Sequence, residues 1–116
     1  MSSKAPLYKI CRNEDWLFAQ KEKIFPGTQI DRSDGYIHLC TKGQLAETLV
    51  RHFSDEKCLI LLEIQPRLLG QEYLKWEPAR GGEPFPHLYA PLPLEAVTLV
   101  FPIPDVRREQ FARKLR

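Results

Sequence analysis

The sequence has no apolar stretch long enough to span a bilayer, and its start, MSSKAPLYKI, lacks the apolar core of a secretory signal. Both absences lead us to expect a soluble, cytoplasmic protein that does not engage a membrane. Neither sign of charge dominates: 17 Lys and Arg stand against 15 Asp and Glu, a formal net charge of +2, which does not call for nucleic acid as a partner. The locally basic run from Arg107 to Arg116 is expected to be a solvated helix end, where cations suit the dipole. Cysteine is scarce, and no CxxC or CxxH spacing suggests zinc or another metal. Cys11, Cys40 and Cys58 each border or enter an apolar run, so they are expected to be buried thiols in a reducing compartment. No repeat, low-complexity tract or break in composition divides the 116 residues, which suffice for one domain and one core.

Hydrophobic spacing predicts the elements. Leu7 to Cys11 is a strand with Leu7, Lys9 and Cys11 on one face and Tyr8 and Ile10 on the other. Asn13 caps a helix running to about Lys23, with Trp16, Leu17 and Ala19 or Gln20 on one side, ended by Pro26 and Gly27. Residues 28 to 35, TQIDRSDG, hold turn formers without apolar periodicity and are expected to form a loop. In the next strand Tyr36, His38 and Cys40 point one way, and Ile37 and Leu39 point toward the core.

Thr41 followed three residues later by Gln44 is a capping-box spacing, and Leu45, Leu49 and His52 or Phe53 recur at helical spacing after it, so a helix spans Lys42 to Phe53. His38 would then precede a helix N-terminus, where amides and the dipole favour an anion. Cys58 to Ile64, CLILLEI, suits a central strand covered on both faces. Ala96 to Ile103 is another strand, with Pro102 placing its far end at an edge, and a last helix occupies about 105 to 115. Together these give an α+β fold: a single domain with a mixed, largely antiparallel sheet and flanking helices.

The segment LKWEPARGGEPFPHLYAPLP, Leu74 to Pro93, carries more polar chemistry than a connection needs. Gly70 makes a turn, Tyr73 to Glu77 is expected to be extended, and beyond it the prolines stiffen both ends while the pair Gly81 and Gly82 leaves the middle permissive, so the segment is expected to be a proline-rich loop that carries a site. The candidate residues are His38, Thr41, Gln44, Lys75, Trp76, Glu77, Arg80, Gly81, Gly82, His87 and Tyr89. A histidine moves protons near neutral pH, an arginine holds a phosphate or carboxylate with two bonds, and a carboxylate orients a hydroxyl or imidazole. Such a set suits a small anionic, sugar-like or nucleotide ligand. Each residue also has an ordinary reading: His38 bonded to a core carbonyl, Trp76 packing, Glu77 paired at the surface with Lys75 or Arg80.

At DGYIHLCTKGQLAETLVRHF and KWEPARGGEPFPHLYAPLPLEAV the sequence resembles the bacterial domain of unknown function 952 family, from Tyr8 to about Val100. The resemblance implies the fold of the ADP-ribosyltransferase superfamily, which cleaves NAD at the nicotinamide bond, with NAD as substrate rather than resident cofactor. That superfamily places His or Arg on its first strand, Tyr or Ser on its second and Glu on its last motif. Here those places hold Tyr8 or Lys9, His38, and His87 or Tyr89, so the usual glutamate is missing; Glu77 could replace it from another loop. The RNA 2′-phosphotransferase branch similarly uses Arg and His residues.

The resemblance thus implies His38, His87 and Glu77 as catalytic residues. Arg80, with the Gly81 and Gly82 amides, would hold a phosphate, and Tyr89 or Trp76 would stack on a ring. Cys40 stands where the family commonly has Ser, which raises a Cys40 and His38 nucleophile as a further reading. The reading from another class is a non-catalytic binding module for a nucleotide or other small anion.

Overall fold

The computed structural model describes residues 5–79, 81–105 and 113. Up to Asp105 the described residues form three small sheets and three α-helices. The first sheet has the order β1 (Leu7–Arg12), β4 (Leu59–Ile64) and β8 (Val97–Pro102). The apolar run at residues 59–64 takes the centre, as expected, with Leu7 opposite Ile64 and Arg12 opposite Leu59 on one side and Leu61 opposite Phe101 on the other. Both faces are covered. Leu7, Cys11, Leu62 and Ile64 enter one core cluster; Tyr8, Ile10, Leu59 and Leu61 enter a second with Leu45, Leu49 and Phe85. Each fully buried Leu in these clusters contributes about 1.5–3 kcal/mol over its exposed state.

A second pairing joins β2 (Ile24–Phe25) to β7 (Leu92–Pro93), and the third sheet has the order β3 (Ile37–His38), β6 (Glu83–Leu88) and β5 (Leu74–Ala79). Tyr8 and Cys40 exchange two backbone bonds of 2.8 and 2.9 Å, which stitch the first sheet to the third. Every strand pairing among the described residues is antiparallel, so the sheet is not mixed.

The cap of helix α1 (Asn13–Glu22) lies one residue earlier than expected: it is Arg12, whose amide donates to Asp15 Oδ2 at 3.2 Å. Trp16 and Ala19 face inward, but Leu17 is exposed and so is Gln20, because one turn of 3.6 residues carries both away from the buried side. Lys23, with φ 65°, ends the helix. Helix α3 (Lys42–His52) begins at Thr41 as the spacing predicts and buries Leu45 and Leu49; His52 is exposed and Phe53 half-buried.

The expected loop at residues 28–35 is instead a helix, α2 (Gln29–Asp34). Thr28 Oγ1 accepts from the Asp31 amide at 3.2 Å while Asp31 Oδ2 accepts from the Thr28 amide at 2.9 Å, a reciprocal cap that holds a helix with almost no apolar face.

The proline-rich segment is extended at its start, as expected for Tyr73 to Glu77, but it does not continue as a loop. It folds as the β5–β6 hairpin, with Trp76 opposite Pro86 and Pro78 opposite Pro84. A pair of prolines cannot exchange ladder bonds, so the bonded pairs are those between: Lys75 with His87, Glu77 with Phe85, Ala79 with Glu83. Pro84 and Pro86 therefore turn their missing N–H groups away from β5. Their carbonyls are used on that other side, accepting from Gln44 Nε2 at 2.8 Å and from the Leu39 amide at 3.1 Å. Gly81 and Gly82, at φ 83° and 98°, make the turn.

Cys11 and Cys40 are buried, whereas Cys58 is exposed. Cys58 stands before β4 with φ 57°, its amide bonded to Asp105 Oδ1, rather than inside the strand. The last helix expected at 105–115 lies outside the described residues beyond Asp105 and Arg113. No described helix is long and apolar enough to cross a membrane.

Candidate functional site

The third sheet sets His38 on β3 directly opposite His87 on β6, and His87 opposite Lys75 on β5. Because side chains alternate and opposed residues share a face, His38, His87, Lys75 and Glu77 all project from one side of this sheet. Trp76 projects from the other side, beside Pro86. The two histidine rings lie 5.7 Å apart, centroid to centroid. Tyr36 joins them, stacked on His87 at 4.1 Å and tilted against His38 at 4.6 Å, with Tyr89 at 5.2 Å.

Each histidine is oriented by a carboxylate. His38 Nδ1 is 2.6 Å from Asp31 Oδ1, which also accepts from the His38 amide at 3.1 Å. Asp31 is itself buried against Lys9, whose Nζ lies 2.7 Å from Oδ2 and donates to the His38 carbonyl at 3.0 Å. Burial pushes the Asp31 carboxyl up, but the His38 bond, the Lys9 charge and the Thr28 amide outweigh it and hold the group well below the usual carboxylate range. Asp31 is thus an ionised, fully bonded hub. On the far edge of the ring, His38 Nε2 lies 3.0 Å from Asp34 Oδ2 at the end of α2.

His87 is 5% exposed, and its Nδ1 lies 2.7 Å from Glu77 Oε1. Tyr89 Oη donates to the same oxygen at 2.7 Å. The Tyr89 hydroxyl, and after it His87, keep the Glu77 carboxyl below its ordinary range; in return the carboxylate pushes the Tyr89 phenol up to about 12. Burial, then the Asp34, Glu77 and Asp31 carboxylates, raise the Tyr36 phenol as well. His87 Nε2 has no hydrogen-bond partner among the described residues, and His87 lines a cleft of about 720 Å³ together with Lys9, Asp31, Tyr36, His38 and Cys40. A carboxylate on one ring nitrogen and an open second nitrogen is the arrangement of a general base.

Of the residues expected from sequence, the fold brings together His38, His87, Glu77, Tyr89 and Lys75. It does not bring in Trp76, which lies on the opposite face of the sheet. Gly81 and Gly82 sit at the hairpin tip, six and five residues from His87, or ~17–20 Å along the strand, and the Gly82 amide is used by the Ala79 carbonyl. Gln44 is buried and its amide is fully employed: Oε1 accepts from the Thr41 amide at 3.0 Å, and Nε2 donates to Glu83 Oε2 and the Pro84 carbonyl. Gln44 therefore pins α3 to the hairpin, and Thr41 caps the helix. Arg80 lies outside the described residues.

Cys40 packs in the second core cluster with Leu45 and Leu49. No group of three or more His, Cys, Asp or Glu side chains among the described residues has the geometry to hold a metal ion.

Sequence reasoning missed Lys9, Asp31, Asp34 and Tyr36. The signal for Asp31 was the Thr28 to Asp31 spacing, a second capping box hidden in a segment without apolar periodicity. Tyr36 was foreshadowed by its alternation with His38. Lys9 entered only as one of two residues that the resemblance set at the first-strand place, because a lysine in a short strand is ordinarily solvated.

Residues 10–100 match the family described as Protein of unknown function, DUF952. No curated protein matches the chain. Among solved structures, the crystal structure of protein CC0527 from Caulobacter crescentus is 38% identical, covers 86% of this chain and 87% of its own, and superposes with a TM-score of 0.82. The solution structure of CC0527 is 39% identical over 88% of this chain and 84% of its own, with a TM-score of 0.72.

Proposed function

The chain belongs to the DUF952 family, and on that premise we propose that it is an ADP-ribosyltransferase-like protein that binds NAD or a related nucleotide at the face shared by His38 and His87. The observation that carries this reading is the position of Glu77. By its place in the chain it does not correspond to the superfamily's glutamate. In space its Oε1 lies 2.7 Å from both His87 Nδ1 and Tyr89 Oη, on the same side of the sheet as His38.

An ionised carboxylate beside a sugar stabilises the positive charge that develops there as a glycosidic bond breaks, and a histidine with one free nitrogen can relay the proton. Tyr36 and Tyr89 offer flat surfaces to a ring. Lys75, exposed and without an ion pair among the described residues, is a cation on the same face for a phosphate. These residues fit the sugar and ring of a nucleotide. Glu77 and His87 would be the catalytic pair, with His38 contacting a hydroxyl or phosphate.

One observation favours a non-catalytic nucleotide or anion-binding module: both ring nitrogens of His38 already face carboxylates. Incubation with NAD separates the two readings. Nicotinamide release that is lost in Glu77→Gln supports transfer chemistry; NAD binding without release supports the module; neither binding nor release defeats both.

A further inference from the structure

The two carboxylates on His38 are not equivalent. Asp31, at Nδ1, is 2% exposed and is tied in turn to Lys9 and the Thr28 amide, so that bond is fixed in the core. Asp34, at Nε2, is 47% exposed and stands on the last residue of α2, with no other ion pair among the described residues. An exposed pair of this kind contributes little to folding and exchanges readily with solvent. The ring is therefore anchored at one nitrogen and open to exchange at the other.

An imidazole N–H facing a carboxylate oxygen makes the same charge-assisted bond that it makes to a phosphate oxygen. We propose that the Asp34 carboxylate holds, on His38 Nε2, the place of a ligand oxyanion, and that a small phosphate-type oxyanion displaces it. A second observation points to a ligand at this place: His87, nine-tenths buried, lines the same cleft with its Nε2 unpartnered among the described residues and its ring 5.7 Å from that of His38. A phosphate on His38 would bring a neighbouring hydroxyl of the same molecule toward that nitrogen. Other charged groups that line the cleft are paired among themselves, Lys9 with Asp31 and Arg12 with Glu56 and Glu14; Arg32 donates to the Gly27 carbonyl, and Glu77 and the exposed Lys75 project from the same face of the sheet as the histidines. Asp34 thus acts as a resident competitor that sets how strongly an anion must bind to enter. The inference rests on the site of the proposed function, but not on NAD as the ligand.

The test is a titration with inorganic phosphate followed by NMR of the histidine rings, on wild type, Asp34→Ala, Asp34→Asn, Glu72→Ala as an exposed-charge control, and Asp34→Ala with His38→Gln. Both Asp34 variants are expected to bind phosphate about five-fold more tightly, from loss of the competing pair and of like-charge repulsion. The ring signals of His38 should report the binding, Glu72→Ala should match wild type, and the added His38→Gln should abolish the gain. Equal affinity in wild type and both Asp34 variants, a gain that survives His38→Gln, or no phosphate binding in the millimolar range by any of them overturns the proposal. Nicotinamide release plays no part in this readout. A five-fold gain without NAD turnover keeps this inference and removes the proposed transfer activity, and turnover without the gain does the reverse.

Discussion

Lys9 Nζ lies 2.7 Å from Asp31 Oδ2 with the two side chains 5% and 2% exposed, and both residues also bond the backbone of His38. A buried pair of this kind is weak evidence of net stabilisation, but removal of one partner strands the other charge in the core. Lys9→Met or Asp31→Leu alone should therefore cost about 3–5 kcal/mol in urea denaturation, and the double change should cost less than the sum of the two while leaving the Thr28 and His38 amides that Asp31 also bonds unpaired. Losses that simply add would show that the two charges do not depend on each other.

The same pair sets an acid limit. The Asp31 carboxyl is held below its ordinary value in the folded chain, whereas in the unfolded chain it titrates at about 3.9. The unfolded state thus binds the extra proton first. The Asp31 contribution is fully present above about pH 4 and is lost as pH falls from there through the folded value. Wild type should lose stability more steeply than Asp31→Asn below about pH 4, as measured by urea midpoints across the acid range. Parallel curves would contradict it.

Glu77 and Tyr89 make a spectroscopic prediction. The carboxylate pushes the Tyr89 phenol up to about 12, mainly through their hydrogen bond. Glu77→Gln should bring that titration back toward the ordinary tyrosine value of about 10, followed by NMR of ring-labelled tyrosine with Tyr89→Phe to assign the signal. If nucleotide turnover is observed, the same change should lower it by about 10²-fold or more, as expected for loss of a charge that stabilises the developing positive charge.

The cysteines should differ sharply in reactivity. Cys58 is exposed and should alkylate within minutes, while burial pushes the Cys11 thiol up to about 12 and Cys40 is packed in the core. Cys40→Ser should retain whatever ligand binding wild type has. Rapid labelling of Cys40 at neutral pH with loss of binding would instead support a cysteine nucleophile beside His38.

The elements with a strong apolar signature were legible in the sequence. The central strand at residues 59–64 and helix α3 lie where hydrophobic spacing puts them, because their burial is what holds them, and the strand at 97–102 lies where its β-branched and apolar run puts it although it is largely exposed at the sheet edge. Helix α2 was not, since the side chain it buries is a carboxylate and its stability comes from the Thr28 and Asp31 cap. The hairpin was hidden by its prolines. Only their alternate placement, Pro84 and Pro86 on one strand and Pro78 opposite on the other, shows that the ladder loses no donor. For the site, polar residue types pointed to His38, His87, Glu77, Tyr89 and Lys75. The buried Lys9 and Asp31 behind them depend on long-range packing that spacing cannot report.

The central claim is that His38 and His87, 49 residues apart in the chain, serve one ligand. Their ring centroids are 5.7 Å apart with Tyr36 against both, close enough for substitutions to couple by about 0.5–3 kcal/mol rather than add. The direct measurement is the calorimetric affinity for ADP-ribose of wild type, His38→Gln, His87→Gln and the double variant. The account predicts that each single change weakens binding and that the double change differs from the sum of the singles. Strict additivity, or no binding by any of the four proteins, would contradict it.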